Sequence, residues 1–386
     1  MTSRERVLMA LRHKEPDRVP FDLAGTVTTG IHRLAYRKLL DFLGIAEAEV
    51  RVGEIHQQLA AVHEDVLKRL LVDVRPVYSR LPAGWTPSFT DDEQYTRFTD
   101  QWGIGWRKPK DGGLYYDLAS HPFARFSSPA DVVNYKIPDP ADPSRLLGMR
   151  EAAEQLSKES GAALCLAGVS AGFTELAWWL RGFEDFLTDL VIHPDMACAI
   201  LDKTLEIKLG FWEMALAHVG DSIDVVVEAD DYAGQHGMIM SPATYRKYIK
   251  PRQRELFGRI KSYASPDHPI YIVFHSCGAI REIIPDLIEV GVDAINPVQV
   301  SAANMDTRQL KREFGDSLTF WGGGVDSQRI LNYGTPEQVR EEAKRRIEDL
   351  APGGGFVFAA IHNVQPDVPP ANFMAMWEAW REYGCY

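Results

Sequence analysis

No uninterrupted run of about 18 apolar residues occurs in this 386-residue chain, so no stretch reads as a membrane-spanning helix. Positive charge is in deficit, 42 Lys and Arg against 54 Asp and Glu for a net charge of −12. Phosphate backbones are held by clustered cations, and no nucleic-acid partner is expected. Cysteine is scarce: Cys165, Cys198, Cys277 and Cys385 are too few and too scattered for a disulfide framework, which leaves each as a candidate ligand or thiol. The opening MTSRERVLMALRHKEPDRVP lacks the apolar stretch of a secretory signal, and a soluble, cytoplasmic protein is expected. No G-x-G-x-x-G follows an early strand to open a helix, which disfavours a dinucleotide-binding doubly wound sheet.

What is present is an ordinary globular composition, 45% hydrophobic and 25% charged. Thr2 and Glu5 form a capping box for a first helix carrying Val7, Leu8 and Leu11, and RVPFDL follows as an extended apolar segment. Residues 76 to 130 interleave Trp85, Tyr95, Trp102, Trp106, Tyr115 and Tyr116 with turn formers, which predicts a β-rich insertion closed by DPADP. From there one unit repeats, an apolar run followed by an amphipathic stretch. The runs are ALCLAGV (163–169), IDVVVEA (223–229), IYIVFH (270–275), VDAINPV (292–298), LTFWGG (318–323) and FVFAAI (356–361). Repeated βα units with near-continuous apolar strands imply a parallel sheet covered on both faces. With RVPFDL and part of 51–75 added, about eight strands result, and a single (β/α)8 TIM barrel over 1–386 is the expected fold.

In such a barrel the chemistry belongs where strands hand over to loops at their C-terminal ends. Those positions are polar here: His275-Ser276-Cys277-Gly278, Glu228-Ala229-Asp230-Asp231-Tyr232, His362-Asn363, Asn296-Pro297-Val298-Gln299, and Gly322-Gly323-Gly324-Val325-Asp326. His275 and Cys277, two apart on an extended chain, point to the same side, and a thiolate among the donors favours Zn2+ over Mg2+ or Ca2+. A hydrogen-bonded strand-end histidine beside a buried cysteine would look the same. His362, on another strand end, makes a third candidate ligand. Glu228, Asp230 and Asp231 are candidate catalytic carboxylates, because three acids so close repel unless a cation or a proton intervenes. Capping of a helix beginning near Ser241-Pro242 is the alternative. Asn296, Gln299, Gly323, Asp326, Trp102 and Tyr232 complete the set as candidate substrate contacts, with plain turn and core roles open for the glycines and the aromatics.

HSCGAIREIIPDLIEVGVDAINPVQ, FWGGGVDSQRILNYGTPEQV, HNVQPDVPPANF, TDQWGIGWR, EADDYAGQHGMIMSP and the opening RERVLMALRHKEPDRVPFD together resemble the uroporphyrinogen decarboxylase superfamily over nearly the whole chain. That resemblance implies a (β/α)8 barrel and either of two activities, tetrapyrrole decarboxylation or zinc-dependent methyl transfer involving a corrinoid or a thiol. The decarboxylase branch carries an arginine-rich R-Q-A-G-R-Y stretch for the substrate carboxylates, where this chain has Phe21-Asp22-Leu23-Ala24-Gly25-Thr26. The methyltransferase branch carries H-x-C and a later Cys, where this chain has His275-Ser276-Cys277 and His362. The resemblance therefore implies a zinc-dependent, methyltransferase-like enzyme with Zn2+ on His275, Cys277 and His362, a small-molecule substrate, a corrinoid carried by a partner protein, and compatibility with a homodimer. A decarboxylase and a non-catalytic small-molecule-binding barrel are the alternatives.

Overall fold

The computed structural model describes residues 1–45 and 49–386. Seven strands form one parallel sheet, in the order Phe356–Val357, Thr319–Trp321, Ala294–Asn296, Tyr271–His275, Val225–Ala229, Ala163–Ala167 and Val74–Val77. Both edges of that sheet are hydrogen-bonded to the segment around Phe21. The Phe358 N–H donates to Pro20 O (2.8 Å), the Asp22 N–H to Phe358 O (2.9 Å) and the Asp73 N–H to Phe21 O (2.8 Å). The apolar segment RVPFDL thus fills the eighth position and closes a (β/α)8 barrel.

Each apolar run contains one of these strands, and the reason is burial on both faces. Val225, Val226, Ile272, Val273, Ala294, Ile295, Phe320 and Phe356 are all fully enclosed, so neither face of the sheet can carry polar alternation. The helices begin on residues suited to it: Thr2 with Glu5, and Thr335 with Gln338, make reciprocal capping boxes at Ser3–Leu11 and Pro336–Leu350.

Within 76–130 lies a four-stranded antiparallel sheet, Thr90–Asp91, Tyr95–Thr99, Gly105–Pro109 and Asp117–Ser120. The first two residues of that range belong instead to the barrel strand Val74–Val77. The sheet is joined to the barrel helix Phe173–Arg181 through Trp106, whose ring meets Trp179 edge-on at 4.9 Å. Among the described residues no helix is long and apolar enough to cross a membrane.

Candidate metal centre

The strand Tyr271–His275 lies between Val225–Ala229 and Ala294–Asn296, so His275 stands beside Ala229 on one side and Asn296 on the other. Parallel register puts these side chains on one face, the barrel interior, and His275 is buried there at 5% exposure. Its Nδ1 is 2.6 Å from Asn296 Oδ1. The Asn296 Nδ2 already donates to Trp321 O at 3.0 Å, which turns the amide oxygen toward the imidazole. Nδ1 is therefore the protonated nitrogen, and the lone pair of Nε2 is left facing inward. At 3.5 Å from that Nε2 lies Cys277 Sγ.

His362 arrives from the far edge of the sheet. Its ring meets that of His275 at 5.3 Å and 65°, and one donor atom from each of His275, Cys277 and His362 lies within 4.8 Å of the other two. His362 occupies the left-handed region, φ 68°, which costs a non-glycine residue strain. The following Asn363 side chain holds it there, accepting from the Gly30 N–H (2.5 Å) and donating to Val27 O (3.1 Å) and Gln57 Oε1 (2.8 Å). Burial and the neighbouring His275 push His362 down to about 4, so it is neutral at pH 7 and its lone pair is free.

The Cys277 turn is built from backbone. Gly278 has φ 89°, and a Cβ there would fall 2.4 Å from Ala233 O, so only glycine fits. Gln299 Oε1 accepts the Gly278 N–H at 2.6 Å, and Asp231 Oδ1 accepts the Cys277 N–H at 2.8 Å. Burial, Asp231 and Glu175 all push the Cys277 thiol well above its ordinary range. Without a cation the sulfur holds its proton.

The three candidate carboxylates separate. Asp231 stays at the cluster, with Oδ1 3.9 Å from His275 Nε2 and its side chain 42% exposed. Glu228, expected at the same mouth, faces the opposite way, because it precedes Ala229 and strand side chains alternate. Its Oε1 takes the Trp212 Nε1–H at 2.5 Å and lies 3.2 Å from Lys208 Nζ, both from the helix Pro194–Val219. Asp230 caps a helix, though not the one beginning near Ser241. It accepts the N–H groups of Thr174 (3.2 Å) and Glu175 (2.6 Å) at the start of Phe173–Arg181, and the Tyr232 hydroxyl at 2.8 Å. Burial outweighs these bonds and pushes Asp230 up to about 7.

The candidate substrate contacts also divide. Asn296 and Gln299 hold His275 and the Cys277 turn, as above. Tyr232 is fully buried, with its hydroxyl between Asp230 and the Gln253 Nε2–H (3.1 Å). Gly323 packs against a neighbouring strand end, where a Cβ would come 2.8 Å from Val298 Cβ. Asp326 closes its own turn by accepting the Gln328 N–H at 2.8 Å. Trp102 is buried in the insertion, its carbonyl accepting from Tyr135 Oη (3.2 Å) and its ring 5.9 Å from the Arg145 guanidinium.

One acidic residue at the mouth escaped the sequence reading. Glu175 opens the helix after Ala163–Ala167, where Asp231 and Asp230 act on its carboxyl and it in turn acts on Cys277. Burial and those two aspartates push its carboxyl well above the usual range. The signal was available, since the rule that strand ends carry the chemistry applies to the stretch after ALCLAGV as to the others.

The uroporphyrinogen decarboxylase (URO-D) family profile matches residues 119–383. The chain belongs to the uroporphyrinogen decarboxylase family. It is 26% identical to the uroporphyrinogen decarboxylase of Chlorobium phaeobacteroides over 193 residues, 49% of this chain and 50% of that one. That match spans only half the length of the relative. Against the Pseudoalteromonas translucida enzyme of the same name identity is 26% over 284 residues, covering 70% of this chain and 74% of the relative. Against that of Alkalilimnicola ehrlichii it is 22% over 381 residues, covering 97% and 93%. Among solved structures, a methyltransferase from Methanosarcina mazei superposes over 99% of both chains with a TM-score of 0.66 at 19% identity. This likeness establishes the shared fold. Decarboxylases and a methyltransferase thus stand among the proteins that this member of the family resembles.

Proposed function

We propose that this URO-D family protein is a zinc-dependent methyltransferase, with Zn2+ on His275 Nε2, Cys277 Sγ and His362, acting on a small molecule together with a corrinoid. The observation that carries the reading is the convergence of these three donors within 4.8 Å, with the His275 tautomer set by Asn296. The donor set suits the metal. Two imidazoles and a thiol make a mixed N/S site, and a metal-bound imidazole characteristically donates its other N–H to a fixed oxygen.

A bound Zn2+ would supply Lewis acidity, favouring the ionised form of a sulfur ligand at neutral pH. The protein's own groups do the rest. Asn296 fixes the imidazole plane, Gln299 and Asp231 fix the Cys277 turn, and the left-handed backbone at His362 turns its ring toward the other two. Asp231 is exposed beside the cluster, with Oδ1 on the Cys277 N–H.

Decarboxylation of uroporphyrinogen is the second reading, favoured by the names of the relatives. A substrate bearing many carboxylates needs several guanidinium forks, and the segment Phe21-Asp22-Leu23-Ala24-Gly25-Thr26, where the decarboxylase branch carries its arginines, has none. Elemental analysis of protein purified without chelator tests the proposal, with about one zinc per chain expected. Methyl transfer to or from free cobalamin should follow the zinc content, and no uroporphyrinogen should be consumed under anaerobic conditions. Absence of transition metal, or undiminished metal in a Cys277→Ser/His362→Ala double variant, rejects it.

A further inference from the structure

A second recess is built where four separate segments meet. His32 caps the helix Arg33–Phe42 by accepting the Leu34 N–H on Nδ1 at 3.1 Å, so its Nε2 carries the proton and donates to Leu114 O at 3.2 Å. That bond docks the turn between Gly105–Pro109 and Asp117–Ser120 against the helix, and the Tyr115 ring meets the His32 ring edge-on at 5.9 Å. Lys38, on the same helix, donates to Pro366 O at 2.7 Å. Asn332, on the short helix Ile330–Tyr333, donates to Asp367 Oδ2 at 3.0 Å, and the Tyr333 hydroxyl donates to the same oxygen at 2.8 Å. Lys38, Tyr115, Asn332, Gln365 and Asp367 line the resulting cavity of about 550 Å3, a volume usual for a small-ligand site. Gln365 lies three residues beyond His362, which limits their Cα separation to about 11 Å and puts the recess beside the barrel mouth.

The polar groups of this wall are incompletely matched to one another. Lys38 and Asp367 bring opposite charges to one cavity, yet neither makes an ion pair among the described residues. Lys38 keeps two N–H donors beyond the one on Pro366 O, and Asp367 keeps Oδ1, because Asn332 and Tyr333 both sit on Oδ2. Asn332 is 9% exposed and donates through Nδ2, while its Oδ1 accepts nothing. Gln365 repeats the pattern, with Nε2 on Asn363 O at 2.9 Å and Oε1 without a partner. Side-chain oxygens shielded from water and left without a donor are uncommon in folded proteins. Three acceptors, Asp367 Oδ1, Asn332 Oδ1 and Gln365 Oε1, thus stand unmet at a cavity that also holds one ammonium. A substituted –NH3+ offers three donors and no acceptor, and a carboxylate is the complement of Lys38. A neutral amide would leave both charges of the wall unanswered.

We propose that this recess holds the zwitterionic head of a free α-amino acid, with its ammonium on Asp367, Asn332 and Gln365 and its carboxylate on Lys38. Leu114, Pro366 and the Tyr115 ring supply apolar surface for an aliphatic side chain. None of His275, Cys277 and His362 lines the recess, so occupancy does not require zinc.

The test is calorimetric titration of the full-length protein with three probes of one skeleton: L-norleucine, L-norleucinamide, which lacks the carboxylate, and hexanoate, which lacks the ammonium. Norleucine should bind at least about tenfold more tightly than either truncated form, with the same affinity before and after chelator treatment. Asp367→Asn and Lys38→Met should each weaken norleucine about tenfold, the first narrowing its preference over hexanoate and the second its preference over norleucinamide. Both residues are exposed, and the unfolding midpoints of the two variants should match that of the wild type. Binding of hexanoate or norleucinamide as tight as that of norleucine overturns the proposal, as does binding of none of the three. Unchanged norleucine affinity in either variant overturns it too, because the amino acid then sits elsewhere. Loss of binding together with the metal would put the amino acid on the cluster and reject this recess, whereas norleucine bound by protein that never holds zinc upholds the recess and rejects the metal reading alone.

Discussion

Asn296 Oδ1 accepts the Nδ1–H of His275 at 2.6 Å while its own Nδ2 is tied to Trp321 O, so one amide on a neighbouring strand decides which imidazole nitrogen faces Cys277. Asn296→Ala removes that constraint without touching a ligand. Zinc affinity should fall about ten- to hundredfold, measured by competition with a chromophoric chelator. Unchanged affinity would mean that packing alone orients the ring.

Metal binding should release protons. Burial and two carboxylates hold the Cys277 thiol protonated far above neutral pH, while His362, at about 4, has already lost its proton. Taking up a cation between pH 6 and 8 therefore expels the thiol proton and none from His362, so affinity rises by about a decade per pH unit. Competition titrations across that range check the slope, and a flat profile would remove Cys277 thiolate from the ligand set.

Glu228 and Lys208 form an ion pair with both side chains almost wholly enclosed. Glu228→Gln leaves the ammonium buried and uncompensated, a loss of roughly 3–5 kcal/mol that should appear as a lowered unfolding midpoint. Metal content per folded chain should not change. A Glu228→Leu/Lys208→Met double variant should regain much of the stability. Normal stability with lost zinc in Glu228→Gln would return this residue to the mouth.

Asp230 predicts a pH dependence of stability. Its carboxyl rises from 3.8 to about 7 on folding, so between those values the folded chain binds more protons than the unfolded one. This contribution is complete below about pH 4 and is lost as pH rises through 7. Urea unfolding of wild type and Asp230→Asn at pH 5 and pH 8 should show a smaller pH difference in the variant. Identical differences would show that Asp230 does not titrate in this window.

The apolar runs predicted the barrel because a strand enclosed by helices on one face and by the interior on the other must be apolar throughout, and that demand is written locally in segments such as IDVVVEA and IYIVFH. The spacing of His275 and Cys277 was equally local, since two residues apart on a strand means the same face. The acidic segment was misleading at Glu228 because it lies one residue before Ala229, and the alternation that sends His275 inward sends the acid in the neighbouring register outward, onto Lys208. Asp230 was legible as a helix cap but not as the cap of Phe173–Arg181, a helix more than fifty residues earlier that only the closed barrel brings alongside.

Local patterning by itself thus determined the βα repeat, the aromatic insertion and the pairing of an imidazole with a thiol, because each depends on neighbours a few residues away. Tertiary structure alone decided that His362 meets His275, that Asn296 chooses the tautomer, and that Glu175 rather than Glu228 acts on the cluster. Those relations are set by strand order and by which face each side chain takes once the sheet has curled shut, and distances across a closed barrel are not encoded in any one segment.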